Sequence, residues 1–359
     1  MSLFSFIFPL AIALAQNADS TVHDGGHRLR NPILNAVYQF VKEFSRVDTA
    51  YVEPQRYNYT VMLQNTNTYE LYRLRYSNGR SIDFTPKPSI KLGPYFGWRW
   101  IFLGYTIDLA RLNDDSHKQD FSLSLYSNQI GLDFFYRKSG DDYTIGKIKL
   151  DDDLDTSPLK GATFDGFKSS VKGFNLYYIF NHRKFSYPAA YSQSTIQRRS
   201  CGSPLFGIGY THHKLDIDWD KFRTLVTEKM GEEVTQQYVD STLTVGQVNY
   251  YDYTVSGGYS YNWVFAHNWL LNVSLSLGLG YKHSKNEVNN TFNQIFKDFD
   301  IKNFNFDGVT RLGLVYNNMR WYAGASAIFH SYNYHKEQFS TNNSFGYINL
   351  YVGFNFGKR

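Results

Sequence analysis

The chain has 359 residues and a mild net charge of +5, with 18% aromatic and only 19% charged residues. Mean hydropathy is −0.43, and beyond the N-terminus no window offers about 18 uninterrupted apolar residues, which excludes a helical membrane protein. The positive charges are scattered, without a basic stripe, zinc-ligand spacing or RNP-like aromatic pattern, so nucleic acid is not an expected partner. The composition leaves two all-β classes, a soluble Tyr-rich protein and a transmembrane barrel, in which alternation and aromatic girdles replace apolar runs.

The N-terminus favours export. MSLFSFIFPLAIALAQ has an apolar stretch from Leu3 to Leu14 and closes on Ala13-Leu14-Ala15, an A-x-A cleavage pattern, although no Lys or Arg precedes it. Residues 1–15 are therefore expected to be a signal peptide, and 16–56 a periplasmic N-terminal segment. In that segment Asn31 is a fair N-cap, Pro32 suits the first helical position, and Ile33, Val37, Phe40, Val41 and Phe44 share one face. A short amphipathic helix over 32–45, packed against the end of a barrel, is expected. A single cysteine, Cys201, rules out an intramolecular disulfide.

Residues 57–359 read as strands. In SIKLGPYFGWRWIFLGYTIDL (89–109), Ile90, Leu92, Phe96 and Trp98 share one parity, and Ile101, Leu103, Tyr105 and Ile107 share the other. A flip of phase at Arg99-Trp100 is what a two-residue hairpin turn produces. Pro94 is the difficulty, since a closed sheet has no edge to host it, and a bulge is the expected remedy. The clearest strand is Trp269 to Lys282. Trp269, Leu271, Val273, Leu275, Leu277, Leu279 and Tyr281 face one way, and Asn272, Ser274, Ser276, Gly278, Gly280 and Lys282 the other. Ile348, Leu350, Val352, Phe354 and Phe356 repeat the pattern near the C-terminus, although Gly-Lys-Arg follows where a barrel's closing strand would end in Phe.

Turn lengths supply an orientation. Bacterial barrels have short periplasmic turns and longer outer loops. Short turns are expected at Arg99-Trp100, Asn128-Gln129, Ala266-His267-Asn268 and Asn317-Asn318, and long polar connections at 140–170, 218–245 and 284–303. All fit one orientation except the long connection 182–202, which falls on the periplasmic side. The expected fold is an antiparallel transmembrane β-barrel of about twelve strands. Counting Tyr57–Gln64 and Ser81–Thr85 as separate strands makes it about fourteen.

Three segments carry a resemblance: DTAYVEPQRYNYTVMLQNTNTYELYRL (Asp48 to Leu74), GPYFGWRWIFLGYTIDL, and VKGFNLYYIFNHRKFSYPAAYSQS with QRRSCGSPLFGIGY after it. Over about Asp48 to Arg359 the chain resembles an uncharacterised family of Bacteroides-like Gram-negative bacteria, recorded as a domain of unknown function. The resemblance implies an outer-membrane β-barrel, in contact with outer-membrane lipid, and no known activity, cofactor or site residue.

Candidate functional residues follow from parity. Lys91, Asp108, Asp133, Arg137, Lys282 and Arg311 fall on the inward face, where charges avoid lipid and can pair. They would either brace a filled interior or line a narrow pore, and at about twelve strands the filled reading is expected. The connection 182–202 carries His182, Arg183, Lys184, Arg198 and Arg199 among aromatics. It reads equally as a plug and as a docking surface for a periplasmic or lipoprotein partner. Other patterns are weaker. Asp115-Ser116-His117 and Asp216-Ile217-Asp218 have the spacing of an omptin-like hydrolase in reversed order. Asp151, Asp153 and Asp155 begin like a calcium loop but lack Gly and Glu at its sixth and twelfth positions. The run Trp219 to Val239 is helix-like, a lid, a contact site or a solvated surface helix. No catalytic, metal or cofactor-binding set is assigned. The expected role is structural scaffolding in an envelope complex, then a narrow passive channel for small solutes, then a rim hydrolase.

Overall fold

A computed structural model describes residues 46–98, 101–104, 107–108, 119–138, 143–239, 247–284, 303–335 and 339–358. The expected signal peptide, the helix over 32–45, Asp115 and His117 lie outside them. The described strands are β1 (Val52–Pro54), β2 (Tyr57–Tyr76), β3 (Ser81–Pro86), β4 (Ser89–Trp98), β5 (Ile101–Gly104), β6 (Ile107–Asp108), β7 (Gln119–Tyr126), β8 (Ile130–Lys138), β9 (Tyr143–Lys149), β10 (Thr163–Phe164), β11 (Phe167–Ile179), β12 (Thr195–Gln197), β13 (Cys201–Ile217), β14 (Gln247–Ala266), β15 (Trp269–Ser284), β16 (Phe304–Asn317), β17 (Trp321–His335) and β18 (Phe339–Lys358). The helices are α1 (Tyr187–Tyr191), α2 (Trp219–Met230) and α3 (Glu232–Tyr238). Sixteen strands form one antiparallel sheet, while β1 and β12 pair by themselves.

The sheet follows the chain from β11 through β13 to β18, then β18 pairs with β2, so the last long strand meets the first. It curves around on itself. Arg311 of β16 reaches Asp133 of β8, although β15, β14, β13 and β11 separate their strands. Among the described residues no backbone pairing joins β5 or β6 to β7; side chains cross there instead, with Lys91 of β4 at 3.3 Å from Asp120 of β7.

Alternation is visible in burial. On β15, Val273, Leu275, Leu277 and Leu279 are exposed on the convex face, whereas Asn272, Ser274 and Lys282 are fully buried on the concave one. The polarity of the two faces reverses toward one end of the sheet. Beyond Glu70 on β2, Tyr72, Leu74 and Tyr76 are buried inside and Arg75 is exposed outside. On β13, Leu215 and Ile217 are buried inside and Lys214 is exposed. The period of two persists because it belongs to the strand; what changes is the medium on each side.

Several expectations need correction. Tyr57–Gln64 and the strand near residue 69 are one continuous strand, β2, so the higher count does not arise that way. Ser81–Pro86 is a strand, joined to β2 through Asn78-Gly79, where Gly79 takes a positive φ of 83° that the tight turn requires. It pairs onward with β9, and β9 with β10, as an extension beyond the end of β4. The connection 140–170 thus contains two strands, and 218–245 contains α2 and α3. Pro94 makes no bulge against β2: that register runs unbroken from Tyr59–Trp98 to Thr68–Ser89, with Pro94 opposite Leu63. On the other side the described pairings of β4 keep a single register, Tyr95 opposite Gly104 and Leu92 opposite Ile107.

Candidate functional site: the interior and its two closures

Among the described residues the interior charges form three clusters rather than one network. Arg311 donates to the Asp133 carboxylate, which also accepts from Ser124 Oγ at 2.6 Å. The Arg311 guanidinium lies 4.7 Å from the centre of the Tyr177 ring. Arg137 Nε is 3.3 Å from Asp120, its Nη1 is 3.7 Å from Glu70, and Asp120 also holds Lys91. Lys282 donates to Asp307 at 2.7 Å and stands 3.3 Å from Asp252. Its ammonium also lies 5.7 Å from the ring centres of Tyr250 and Tyr332.

Lys91, Asp133, Arg137, Lys282 and Arg311 lie on the concave face, each with an ionic partner. Asp108 stands opposite Lys91 in the β4–β6 register. Their partners Glu70, Asp120, Asp252 and Asp307 were not singled out from sequence, although Asp252 lies opposite Lys282 in the register.

At one end, 182–202 folds into the sheet. Ser186 caps α1, accepting from Ala189 N, and Pro188 sits in the first turn. Phe185, Tyr187, Ala189 and Ala190 are buried. Tyr187 Oη meets Ser274 Oγ at 2.5 Å, Tyr191 donates to Asn272 at 2.6 Å, and Asn262 donates to the Ser186 carbonyl at 2.9 Å. Gln193, with φ of +58°, donates to Tyr351 Oη and accepts from Asn317. Small polar residues on β14, β15 and β16 thus leave room that the segment fills.

The five basic residues of this segment separate. His182 is buried, with Nδ1 3.3 Å from the Ile179 carbonyl. Arg198 pairs with Glu53, its Nε donating at 2.7 Å, and Arg56 holds the other carboxylate oxygen at 2.6 Å. Arg183, Lys184 and Arg199 stay exposed, the last two over the ring of Tyr51. An open cavity of about 930 Å³ is lined by Thr49, Glu53, Gln55, Arg56, Met319 and Lys358.

Glu53 makes the β1–β12 latch sensitive to pH. Partial burial raises its pKa, but the hydrogen bond and charge of Arg198, then those of Arg56, outweigh that and hold the carboxyl below its ordinary value. A depressed folded-state pKa contributes stability above the unfolded value, which is lost as pH falls through the folded one. Amide exchange at Glu53 and Ile196 is expected to accelerate below about pH 4 relative to a Glu53→Gln variant, whose latch lacks this titration. Equal pH profiles in the two proteins would refute the assignment.

The opposite end is closed by an apolar core. Ile82, Phe84, Ile145, Leu159, Phe164 and Phe167 pack with Trp219, Phe222 and Val226 of α2. Phe84 and Phe167 stack with centroids 4.4 Å apart. Asp218 is the N-cap of α2, accepting from Lys221 N at 3.1 Å. The helix-like run is therefore part of a cap, with Gly231 at φ +94° turning α2 into α3. Asp155 accepts from Ser157 N at 2.9 Å, and Asp151 from Asp152 N at 2.6 Å, so these carboxylates serve local turns. Between the closures, a described cavity of about 30 Å³ touches Asn175, Thr254, Ser256, Ser276, Asp307 and Arg311. That is room for only a water or two.

A family model described as "Domain of unknown function (DUF4421)" matches residues 46–356. The chain belongs to the DUF4421 family. No curated protein matches it. Among solved structures, this DUF4421 chain is similar to the outer-membrane expressed OmpT of Vibrio cholerae, at 7% identity over 83% of this chain and 98% of that one, with a TM-score of 0.25. Neisserial surface protein A matches at 10% identity over 81% and 96%, with a TM-score of 0.23. The P. putida toluene transporter TodX matches at 8% identity over 84% and 91%, with a TM-score of 0.22.

Proposed function

We propose that this DUF4421 chain is an outer-membrane β-barrel of Gram-negative bacteria with a structural, scaffolding role. Its wall is β2, β4, β5 taken with β6 in the same register against β4, β7, β8, β11, β13 and β14 to β18, twelve in all. The convex apolar face meets lipid, because charged and polar groups are kept on the concave one. The observation that carries the role is the filled interior: ion-paired charges in the middle, the 182–202 plug at the periplasmic end and the aromatic cap at the outer end. Such an interior braces a wall and gives solutes no passage. The exposed Arg183, Lys184 and Arg199 then offer a periplasmic or lipoprotein partner its contact.

The folded chain in planar bilayers is expected to give no conductance steps above baseline. Regular steps would replace this reading with that of a narrow solute channel. In native membranes, Lys184→Glu/Arg199→Glu is expected to fold normally and to lose companions that co-purify with the wild type. An unchanged set would remove the docking role. No catalytic role is proposed, since Asp218 is occupied as a helix cap.

A further inference from the structure

The convex face of β8, β11 and β13 carries four lysines arranged around one serine. Ser170 is opposite Lys138 on one side and Lys214 on the other. Lys168 and Lys172 lie two residues away along its own strand and so on its own face. Strand spacing sets Lys138 and Lys214 about 9.6 Å apart, and Lys168 and Lys172 about 13 Å apart, by Cα. All four are exposed, and none makes an ion pair among the described residues. Asp216, opposite Lys168, is the acid nearest in register.

What lies beside the lysines gives the ligand's chemistry. The row through Lys172 continues to Tyr136 on one side, and to His212 and Tyr251 on the other. One step further from the cap is an unbroken aromatic row, Phe134, Phe174, Tyr210 and Tyr253, with centroid separations of 6.2, 6.2 and 5.4 Å. Below that row the convex face is aliphatic, with Leu176 and Ile208 paired across β11 and β13. Toward the cap the faces exchange polarity, Val171 and Leu215 being buried inside while Lys172 and Lys214 are outside. Aromatic rows mark the level of lipid headgroups. The four ammonium groups therefore stand at headgroup height, with apolar wall beneath them for acyl chains.

We infer that Lys138, Lys168, Lys172 and Lys214, with the Ser170 hydroxyl, form a binding site for the phosphate of an anionic lipid headgroup in the leaflet on the cap side. The inference rests on the proposal that the convex face meets lipid. Four cations about one small hydroxyl fit a phosphate better than a zwitterionic headgroup, whose own cation they would repel. The apolar strip directly below selects a lipid over a free anion.

The test uses the full chain folded into phosphatidylcholine nanodiscs, with phosphatidic acid as the probe and its retention read by native mass spectrometry. Wild type is expected to retain phosphatidic acid in preference to phosphatidylcholine. Each lysine near a lipid surface is worth about fivefold in affinity, so Lys138→Gln/Lys214→Gln should weaken retention about 25-fold. The same positions changed to Arg should restore it, and Lys160→Gln/Lys229→Gln, exposed on the cap, should leave it unchanged. Heat-modifiable gel migration checks that every variant folds. Equal retention by wild type and the Gln variant overturns the site. Release by millimolar inorganic phosphate overturns its assignment to a lipid. Failure of the wild type to enter any nanodisc would instead overturn the membrane reading itself.

Discussion

Replacing Lys282 with Met is expected to destabilise the protein by about 3–5 kcal/mol, the cost of breaking a buried ion pair by removing one partner. The side chains of Lys282 and Asp252 are inaccessible to solvent, and Asp307 is nearly so. Loss of the ammonium leaves two carboxylates facing each other across Gly280. A Cβ at Gly280 would fall within 2.4 Å of Asp252 and 2.7 Å of Asp307, so the pair has closed onto the one residue type that admits it. Met keeps the length and volume of the lysine stem, so the loss reports charge rather than a cavity. The triple variant Lys282→Met/Asp252→Asn/Asp307→Asn removes all three charges and should recover most of the loss, because an uncharged cluster of similar shape carries no desolvation penalty. Urea midpoints of the folded, heat-modifiable form measure both. If the single variant is as stable as wild type, the cluster is not bracing the wall. If the triple variant is no better than the single, the cost lies in packing.

Much of this was legible in the sequence, for a specific reason. On β15 and β18 the two media differ sharply, hydrocarbon-like against small and polar, so parity alone assigns Leu275 outward and Ser274 inward. Parity also placed Lys91, Asp133, Arg137, Lys282 and Arg311 inside. It could not say who pairs with whom. Arg311 meets Asp133 across 178 residues of chain, and only the curvature of the sheet brings them together. The cap's strands escape the sequence pattern because the signal reverses there. In YTIGKIK the buried Tyr143 and Ile145 face the interior core while Lys149 faces water, and the segment is short and set among acids and glycines. The plug was left open between two readings because an aromatic-rich loop with basic flanks does not say which way it folds. The clue lay on the wall instead. Asn262, Asn272, Ser274 and Gly313 are too small to fill the space inside, and Ala190 packs within 3.6 Å of where a Cβ of Gly313 would be.

Deleting Phe185 to Ser194 is expected to prevent recovery of the heat-modifiable folded form, because this segment is part of the core. Phe185 and Tyr187 are fully buried, and truncation of either to Ala alone should cost about 3–5 kcal/mol. Their effects will not simply add, since the rings touch with centroids 5.2 Å apart. The deletion also strips partners from Asn272 Oδ1 and Ser274 Oγ, both buried in the wall, and each orphaned polar group adds about 1–3 kcal/mol unless water replaces the partner. Lys184→Glu and Arg199→Glu touch none of this: both side chains are exposed beneath the plug, and these variants should fold like wild type. The contrast separates the buried middle of the segment, which holds the wall, from its exposed flanks. A deletion variant that folds with wild-type stability would remove the plug from the core. If that variant also conducts in planar bilayers while the wild type does not, the segment is a gate, and the interior charges line the path it closes.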